Sequence, residues 1–187
     1  MDFSVSLKIP KNPHKDTMKL LSELEKIIPR SHITPEHGNE MVHVDIAQDI
    51  KPQYIVFKTN KTEEQNVQIV FKIIEYKSRE VLRCRSDIIN EEPQLVLNNF
   101  STELGLRVAE FLMLLFPCAT KSKQVVNFNV RKEFLHFRMY KYCFSKEGPI
   151  FEKIGPHLSL RLWRYIEYGE EKKVLNFDNF VRNKVIL

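Results

Sequence analysis

Arg161, Trp163 and Tyr165 occupy alternate positions in the segment 158–166, which also has leucines at 158, 160 and 162. Because side chains alternate between the two faces of a strand, this pattern predicts a leucine face and a face with an arginine beside two aromatic rings. Such rings stack on RNA bases or hold a partner peptide, so Trp163 and Tyr165 are predicted partner-binding residues. The alternative is that a helix covers this face and Trp163 belongs to the core.

A second group of candidate residues is basic. In segment 137–144 the alternation places Arg138, Tyr140 and Tyr142 on one face and Lys141 on the other. Lysine and arginine bind RNA chiefly through its phosphates, and each contact makes binding more sensitive to salt. An ordinary solvated basic surface is the alternative. The predicted RNA-binding residues are Lys121, Lys123, Arg131, Lys132, Arg138, Lys141, Arg161 and Arg164.

The net charge of +5 is unevenly distributed along the 187 residues. Residues 1–92 contain 14 Lys and Arg against 15 Asp and Glu, a net of −1, whereas residues 93–187 contain 15 against 9, a net of +6. All of the positive excess therefore lies in the second half. A one-sided positive field suits a polyanion such as RNA, although it is also a common way to stay soluble.

Known catalytic and cofactor motifs are missing from the sequence. No two of the five glycines are close enough for a phosphate-binding loop, and the six histidines show no metal-ligand spacing. A carboxylate pair that forms only in the folded protein is not excluded by this search. We expect a protein that is not an enzyme and has no cofactor, no bound metal and no small-molecule substrate.

The cysteines and the apolar runs indicate where the protein works. Cys84, Cys118 and Cys143 are widely spaced and form no CxxC pair, which is typical of reduced cysteines in an intracellular protein. The longest apolar run, 111–116, is far shorter than a membrane span, and the N-terminal end has no apolar core of the signal-peptide type. We expect a soluble protein that is not secreted and has no membrane partner.

Local signals predict one α/β domain, 1–187, with two similar halves, 1–92 and 93–187. Each half begins with a short apolar segment, a breaker and a helix that ends in an apolar residue and proline, at Ile28-Pro29 and Phe116-Pro117. The predicted helices cover 15–28 and 101–116. The periodicity further predicts a short helix at 40–49, a hairpin between 67–75 and 80–86, and a terminal strand at 184–187.

Several motifs resemble those of one known family, the Brix-domain ribosome-assembly proteins. The similar strings are Leu97-Asn98-Asn99-Phe100-Ser101-Thr102 with Leu115-Phe116-Pro117, and Ile154-Gly155-Pro156 leading into Leu160-Arg161-Leu162. The segment 124–144 matches the region between the two motifs. Similarity in order runs from about residue 5 to residue 187, so the resemblance covers nearly the whole chain.

The resemblance implies a single Brix domain of two similar halves, each a mixed sheet with packed helices like the anticodon-binding domain of certain aminoacyl-tRNA synthetases. It implies a non-catalytic protein that binds precursor rRNA and pre-ribosomal assembly-factor proteins. The location would be the nucleolus, or the cytoplasm if the source is archaeal. Within the family the residues are most similar to a member that acts on the large-subunit precursor.

Two other hypotheses stay open at this point. One is a Brix subunit of the U3 small nucleolar ribonucleoprotein, which acts on small-subunit rRNA. The other is a protein-interaction scaffold in which Arg161, Trp163 and Tyr165 hold a partner segment and RNA contact is incidental.

Two departures from the family pattern bear on the site. His157 stands where the family usually has arginine, so an ionic contact there would depend on protonation near the ordinary histidine pKa of about 6.5. Tyr76-Lys77-Ser78-Arg79 replaces a Gly-Pro loop of the relatives. Together with the net charge of −1, this second departure predicts a weak RNA role for residues 1–92.

Overall fold

The computed structural model describes residues 4–49, 51–59, 66–117, 119, 121–169, 172–177 and 187. These residues form two helices and eleven strands. The helices are α1 (Lys15–Ile27) and α2 (Glu103–Leu115). The strands are β1 (Val5–Lys8), β2 (Ser31–Thr34), β3 (Val42–Gln48), β4 (Pro52–Thr59), β5 (Val67–Lys77), β6 (Gln94–Asn98), β7 (Gln124–Arg131), β8 (Phe134–Ser145), β9 (Gly148–Lys153), β10 (His157–Glu167) and β11 (Lys173–Asn176).

Both helices begin at local capping signals. His14 Nδ1 accepts a hydrogen bond from the Asp16 amide at the start of α1, at 3.2 Å, and Thr102 Oγ1 accepts one from the Gly105 amide at the start of α2, at 2.9 Å. Each helix is 13 residues long and is followed by an apolar residue and a proline. The two predicted helices are thereby confirmed within one or two residues at each end.

All eleven described strands belong to one mixed sheet, ordered β2-β1-β3-β4-β5-β10-β8-β7-β6, with β11 beside β10 and β9 beside β8. β5 and β10 pair antiparallel in the middle. On either side of this pair the topology is alike, because β1 is parallel to β3 and β6 is parallel to β7. The predicted mixed α/β fold is confirmed, whereas an origin of the two halves by duplication stays a prediction.

The core lies on one side of this sheet. Leu24 of α1 and Leu115 of α2 line the same small cavity as Phe57 of β4, Phe128 of β7 and Leu160 of β10. Both helices therefore cover the same face. Within the described residues no helix covers the opposite face, which we call the open face.

The predicted helix at 40–49 is wrong, because this segment contains strand β3. Val42, Val44 and Ile46 are buried, and they alternate with the half-buried His43 and Asp45. A period of two in β-branched residues is typical of a strand with one core face. Pairing with β1 and β4 on its two sides places β3 inside the sheet.

The predicted hairpin between 67–75 and 80–86 is also wrong. The first segment lies in β5, but β5 pairs with β4 and β10, and residues 79–83 form turns. The Arg79 guanidinium holds these turns against the sheet by donating to the Ile154 carbonyl at 2.6 Å and the Ser86 carbonyl at 2.8 Å. β11 has no counterpart among the predicted strands, and the predicted strand at 184–187 lies outside the described residues except for Leu187.

Candidate nucleic-acid interface

A row of side chains crosses four strands on the open face. The register pairs Tyr54 of β4 with Lys72 of β5, Lys72 with Arg161 of β10, and Arg161 with Phe134 of β8. Residues paired directly across a sheet share a face, so these four side chains lie on the same side. The next residue along β5, Phe71, is buried in the core. The row therefore places cations between aromatic rings on the side that the helices leave uncovered.

Trp163 lies beside this row and is half-buried. Lys72 Nζ is 5.2 Å from the centroid of the Trp163 ring, and the Tyr54 and Trp163 centroids are 5.8 Å apart. A cation over an indole ring is attracted by the ring quadrupole, which contributes about 0.5–1 kcal/mol at an exposed site. Both helices of the described residues lie on the other face, so the interpretation of Trp163 as a core residue under a helix finds no support in the part of the chain that the structure describes.

Tyr165 does not share the face of Trp163, so the alternation predicted for this strand is wrong at its end. The register between β10 and β5 shifts at Trp163: Leu162 pairs with Phe71, but Arg164 pairs with Val70 and Tyr165 with Ile69. One extra residue in a strand reverses the faces that follow it. Tyr165 is only 3% exposed, and burial raises the pKa of its hydroxyl. Its ring consequently offers little surface to a partner.

Arg138 lies on the open face of β8, where it is held by backbone carbonyls. Its Nη1 donates to the Phe137 carbonyl at 2.7 Å and to the Leu158 carbonyl at 2.9 Å. Burial lowers the pKa of Arg138, but an arginine remains charged at neutral pH. The guanidinium is therefore a cation that two backbone carbonyls hold in place on the open face of β8.

The two arginines of β10 also have partners on neighbouring segments. Arg161 Nη2 lies 3.4 Å from Glu133 Oε2, and only 15% of its side chain is exposed. Arg164 Nε donates to Asn176 Oδ1 at 2.6 Å. Both side chains are positioned by the sheet rather than extended freely into solvent.

The remaining predicted basic residues do not form one cluster. Lys121 and Lys123 are exposed before β7, and Arg131 and Lys132 are exposed at its other end. The length of β7 separates the two groups by about 23 Å. Lys141 pairs with Gln124 and, by alternation, lies on the face opposite to Arg138. The structure therefore brings Arg161 and Arg164 to the surroundings of Trp163 and leaves the lysines at the ends of β7.

An exposed aromatic cluster continues the open face along β8 and β9, and sequence reasoning assigned no role to its two phenylalanines. Tyr142 lies 5.8 Å from Phe144 and 6.3 Å from Phe151, and Tyr140 lies 6.4 Å from Phe151, between ring centroids. Phe144 is 79% exposed and Phe151 is 61% exposed. The aromatic residues at alternate positions in segment 140–144 are the sequence pattern from which this cluster could have been predicted. The contributions of Tyr54 and Lys72 were also missed, because the first half was predicted to have a weak RNA role.

His157 cannot replace the arginine usual in the family as a cation at neutral pH. Burial, with Arg138, Lys153 and Lys77 nearby, lowers the pKa of His157 to about 4. The predicted ionic contact conditional on protonation near pH 6.5 therefore requires a much more acidic solution. At neutral pH the imidazole is uncharged.

The predicted motif Ile154-Gly155-Pro156 joins β9 to β10 and is buried. A Cβ atom built on Gly155 would lie 2.5 Å from the Cβ atom of Met139, which is below any normal contact. The glycine is therefore required because β8 passes directly against it. This explanation accounts for the motif by packing and assigns it no ligand contact.

Ser6, His37 and Asp45 form a chain of hydrogen bonds that resembles a hydrolase triad. His37 lies 2.6 Å from Ser6 Oγ through Nδ1 and 2.8 Å from Asp45 Oδ1 through Nε2, and Lys58 Nζ lies 2.8 Å from Asp45 Oδ2. Ser6 is completely buried, so its hydroxyl has no access to a substrate. The network joins the loop before β3 to the sheet and supplies no nucleophile.

The described residues contain neither a cluster of metal ligands nor a helix that could span a membrane. No group of three His, Cys, Asp or Glu side chains in these ranges is placed to hold a metal ion. Neither α1 nor α2 has the length and apolar character needed to cross a membrane.

Comparison with known proteins identifies relatives that cover most of this chain. Ribosome production factor 1 of Rattus norvegicus is 27% identical over 165 residues, which are 80% of this chain and 48% of the relative. A Brix domain-containing protein of Caenorhabditis elegans is 29% identical over 171 residues, 82% of this chain and 44% of the relative. The chain is homologous to the Brix-domain proteins. The resemblance predicted from the motifs is thereby confirmed, although no family model matches the sequence.

Two further matches bear on the Brix-domain assignment. The U3 small nucleolar ribonucleoprotein protein IMP4 of Yarrowia lipolytica is 37% identical, but over only 73 residues, 38% of this chain and 26% of the relative. A crystal structure of a probable ribosomal biogenesis protein from Aeropyrum pernix K1 superposes with a TM-score of 0.61 at 12% identity, covering 85% of this chain and 96% of that one. This structure supports the fold alone. The chain spans about half the length of the curated relatives it matches.

Proposed function

We propose that this Brix-domain homologue binds precursor rRNA on its open face and acts in assembly of the large ribosomal subunit. The observation that carries the proposal is the uncovered half-buried Trp163, with Lys72 over its ring and Arg161 and Arg164 on the same strand. Relatives that cover most of the chain are named as a ribosome production factor and as a Brix domain-containing protein, which supports a role in ribosome production. The choice of the large subunit follows from the motifs, which are most similar to a member that acts on the large-subunit precursor. Pre-ribosomal proteins are the proposed protein partners, and the nucleolus is the proposed location.

Unpaired RNA suits this face better than duplex RNA. In a duplex the bases are stacked on one another and out of reach of side chains, whereas an unpaired base has a free surface that stacks on an aromatic ring. Trp163 and the cluster of Tyr142, Phe144 and Phe151 offer such rings at two places on the face. The arginines between them neutralise phosphates. We propose a binding role without catalysis, and the buried serine of the triad-like network in the described residues supports it.

Charge reversal tests which residues contact RNA. In the variant Lys121→Glu with Lys123→Glu, both side chains are exposed, so the fold should be retained. We expect weaker RNA binding and a salt dependence reduced by about one phosphate contact for each lysine involved. The matched control is Lys11→Glu with Lys15→Glu, an exposed lysine in the loop before α1 and the exposed first residue of α1. If both variants weaken RNA binding equally, the loss of affinity comes from the lower net charge and not from contacts of Lys121 and Lys123 with RNA.

Crosslinking of the tagged protein to RNA in its own cells, with sequencing of the recovered RNA, tests the subunit. Large-subunit precursor reads are the expected result. Small-subunit precursor or U3 reads would favour the alternative function, which the match to IMP4 supports over a shorter segment. Recovery of no rRNA from a protein that still sediments with pre-ribosomes would favour the scaffold hypothesis instead.

A further inference from the structure

The two halves of the sheet differ at their outer edges. In the first half β1 is paired on both sides, with β3 and with β2. In the second half the corresponding strand β6 pairs with β7, and no other described strand pairs with it. Val5, Ser6 and Leu7 of β1 are completely buried, whereas all five residues of β6 are partly exposed. Among the described strands, β6 is therefore an edge strand, whereas its counterpart β1 is an inner strand.

α1 and α2 agree in length and in the positions of their buried residues, so β1 and β6 occupy equivalent positions beside them. α2 starts 88 residues after α1, from Lys15 to Glu103, and both are 13 residues long. The buried residues of α1 are Thr17, Leu20, Leu21, Glu23, Leu24 and Ile27, and those of α2 are Gly105, Val108, Ala109, Phe111, Leu112 and Leu115. Every member of the second set lies 88 residues after a member of the first. The helices therefore pack on the sheet with the same face.

The length of the chain after each helix explains the difference. From Pro29 to the start of β3 at Val42 there are 13 residues, which include β2, whereas from Pro117 to the start of β7 at Gln124 there are seven. The connection in the second half is therefore six residues shorter. No described strand occupies the position beside β6 that corresponds to β2.

The contacts of β2 indicate what that place requires. Ile33 packs against the core, its amide donates to Glu25 Oε1 of α1 at 2.9 Å, and the Ser31 hydroxyl donates to the Glu25 carbonyl at 3.0 Å. The position of α2 equivalent to Glu25 is Met113, which is 58% exposed. α1 therefore binds β2 through the Glu25 carboxylate, whereas α2 has the thioether side chain of Met113 at the equivalent position, which suits an apolar neighbour.

An apolar groove runs between α2 and the β6 edge. Its apolar lining is Leu97, Phe100, Leu106, Ala109 and Met113, and Leu106 is 54% exposed. The charged residue among the eight described ones that line it is Glu110. A negative charge in an apolar groove repels phosphate, so the groove does not suit RNA. An unpaired strand edge beside apolar side chains is the arrangement that binds an extended peptide by adding a strand.

We propose that the groove and the β6 edge bind an extended segment of a partner protein, which pairs parallel to β6 as β2 pairs with β1. The segment places an apolar side chain against Leu106 and Met113, and a basic side chain near Glu110. A single segment fits this site better than a second copy of the chain, because the β6 strand of a second copy would bring its own α2 to the same face. This site is separate from the open face, so it does not depend on RNA binding.

The site can be tested with a photoreactive benzoylphenylalanine placed at Met113 in the full chain, expressed in its own cells. The control carries the same group at Val81, an apolar side chain that is 66% exposed and lies outside the groove. We expect irradiation to join position 113, but not position 81, to one segment of one protein. An adduct with a second copy of the chain, an adduct with RNA, or equal labelling from both positions would overturn the proposal.

Amide exchange then tests the geometry. A synthetic peptide with the sequence of the crosslinked segment should slow exchange of those Gln94–Asn98 amides that point away from β7 by at least about tenfold and leave Ser31–Thr34 unchanged. Met113→Lys should abolish this protection while affinity for RNA stays the same, and Val81→Lys should change neither. Peptide binding with no protection of β6 would refute strand addition, and a parallel loss of RNA affinity in Met113→Lys would refute the separation of the two sites.

Discussion

Replacing Trp163 with alanine should affect RNA binding more than folding. Stacking of an unpaired base on an aromatic ring contributes about 1–3 kcal/mol, so affinity should fall by about 5- to 150-fold. The indole is half-buried, and its contacts include the cation of Lys72 at 5.2 Å and the ring of Tyr54 at 5.8 Å. These two contacts contribute about 1–2 kcal/mol to the free energy of unfolding, and the substitution removes both.

The assay is a titration of short unpaired RNA, followed by fluorescence anisotropy, beside urea denaturation of each variant. Trp163→Phe keeps a ring in place and should retain most of the affinity. Tyr165→Leu is the matched control on the same strand, because it removes the ring but keeps an apolar side chain in the core. It should leave affinity unchanged in the folded protein, since Tyr165 is buried. A folded Trp163→Ala protein with unchanged affinity would refute the role of the Trp163 ring. An equal loss of affinity in a folded Tyr165→Leu protein would refute the assignment of faces.

Three further predictions concern stability. Gly155→Ala forces a Cβ atom to within 2.5 Å of Met139 Cβ, so urea denaturation should show a loss of about 1–3 kcal/mol, and a stable variant would contradict the packing described. Thr102→Ala removes the cap of α2 and should lower stability by about 1 kcal/mol, whereas Thr102→Ser should retain most of it. The His157 pKa of about 4 lies below the unfolded value of about 6.5, so the folded state binds fewer protons and stability should fall as the pH decreases from 6.5 towards 4. Because the His157 side chain is only partly buried, its contribution to this change in the free energy of unfolding should be about 1 kcal/mol. Denaturation curves recorded at a series of pH values should show that His157→Gln abolishes this contribution.

The helices were predictable because their signals are local. Thr102 and Pro117 lie within a few residues of the ends of α2, and both act through the backbone of their own segment. The apolar alternation of β10 likewise predicted its leucine face, and Leu158, Leu160 and Leu162 are buried. Parts of the motifs that resemble those of the Brix-domain proteins, Leu115-Phe116 and Leu160-Arg161-Leu162, lie in or directly beside these elements. The fold class and the resemblance could therefore both be inferred from the sequence.

The errors come from pairings between distant segments. β5 was expected to pair with its neighbour in the chain, but its partner β10 begins 80 residues after the end of β5, from Lys77 to His157. The bulge at Trp163 arises only in that pairing, and it turns Tyr165 into the core. The position of Lys72 over Trp163 depends on the same pairing, so no local pattern reveals it. Residues of the first half therefore join the candidate site in spite of its net charge of −1.

The central claim is that RNA lies on the open face. Ultraviolet crosslinking of the purified chain to unpaired RNA, with mass spectrometry to identify the attached residues, tests it most directly. We predict crosslinks on Trp163, Tyr140 and the exposed rings of Phe144 and Phe151. Crosslinks confined to the helix side, at Leu106 and Met113, would contradict the account.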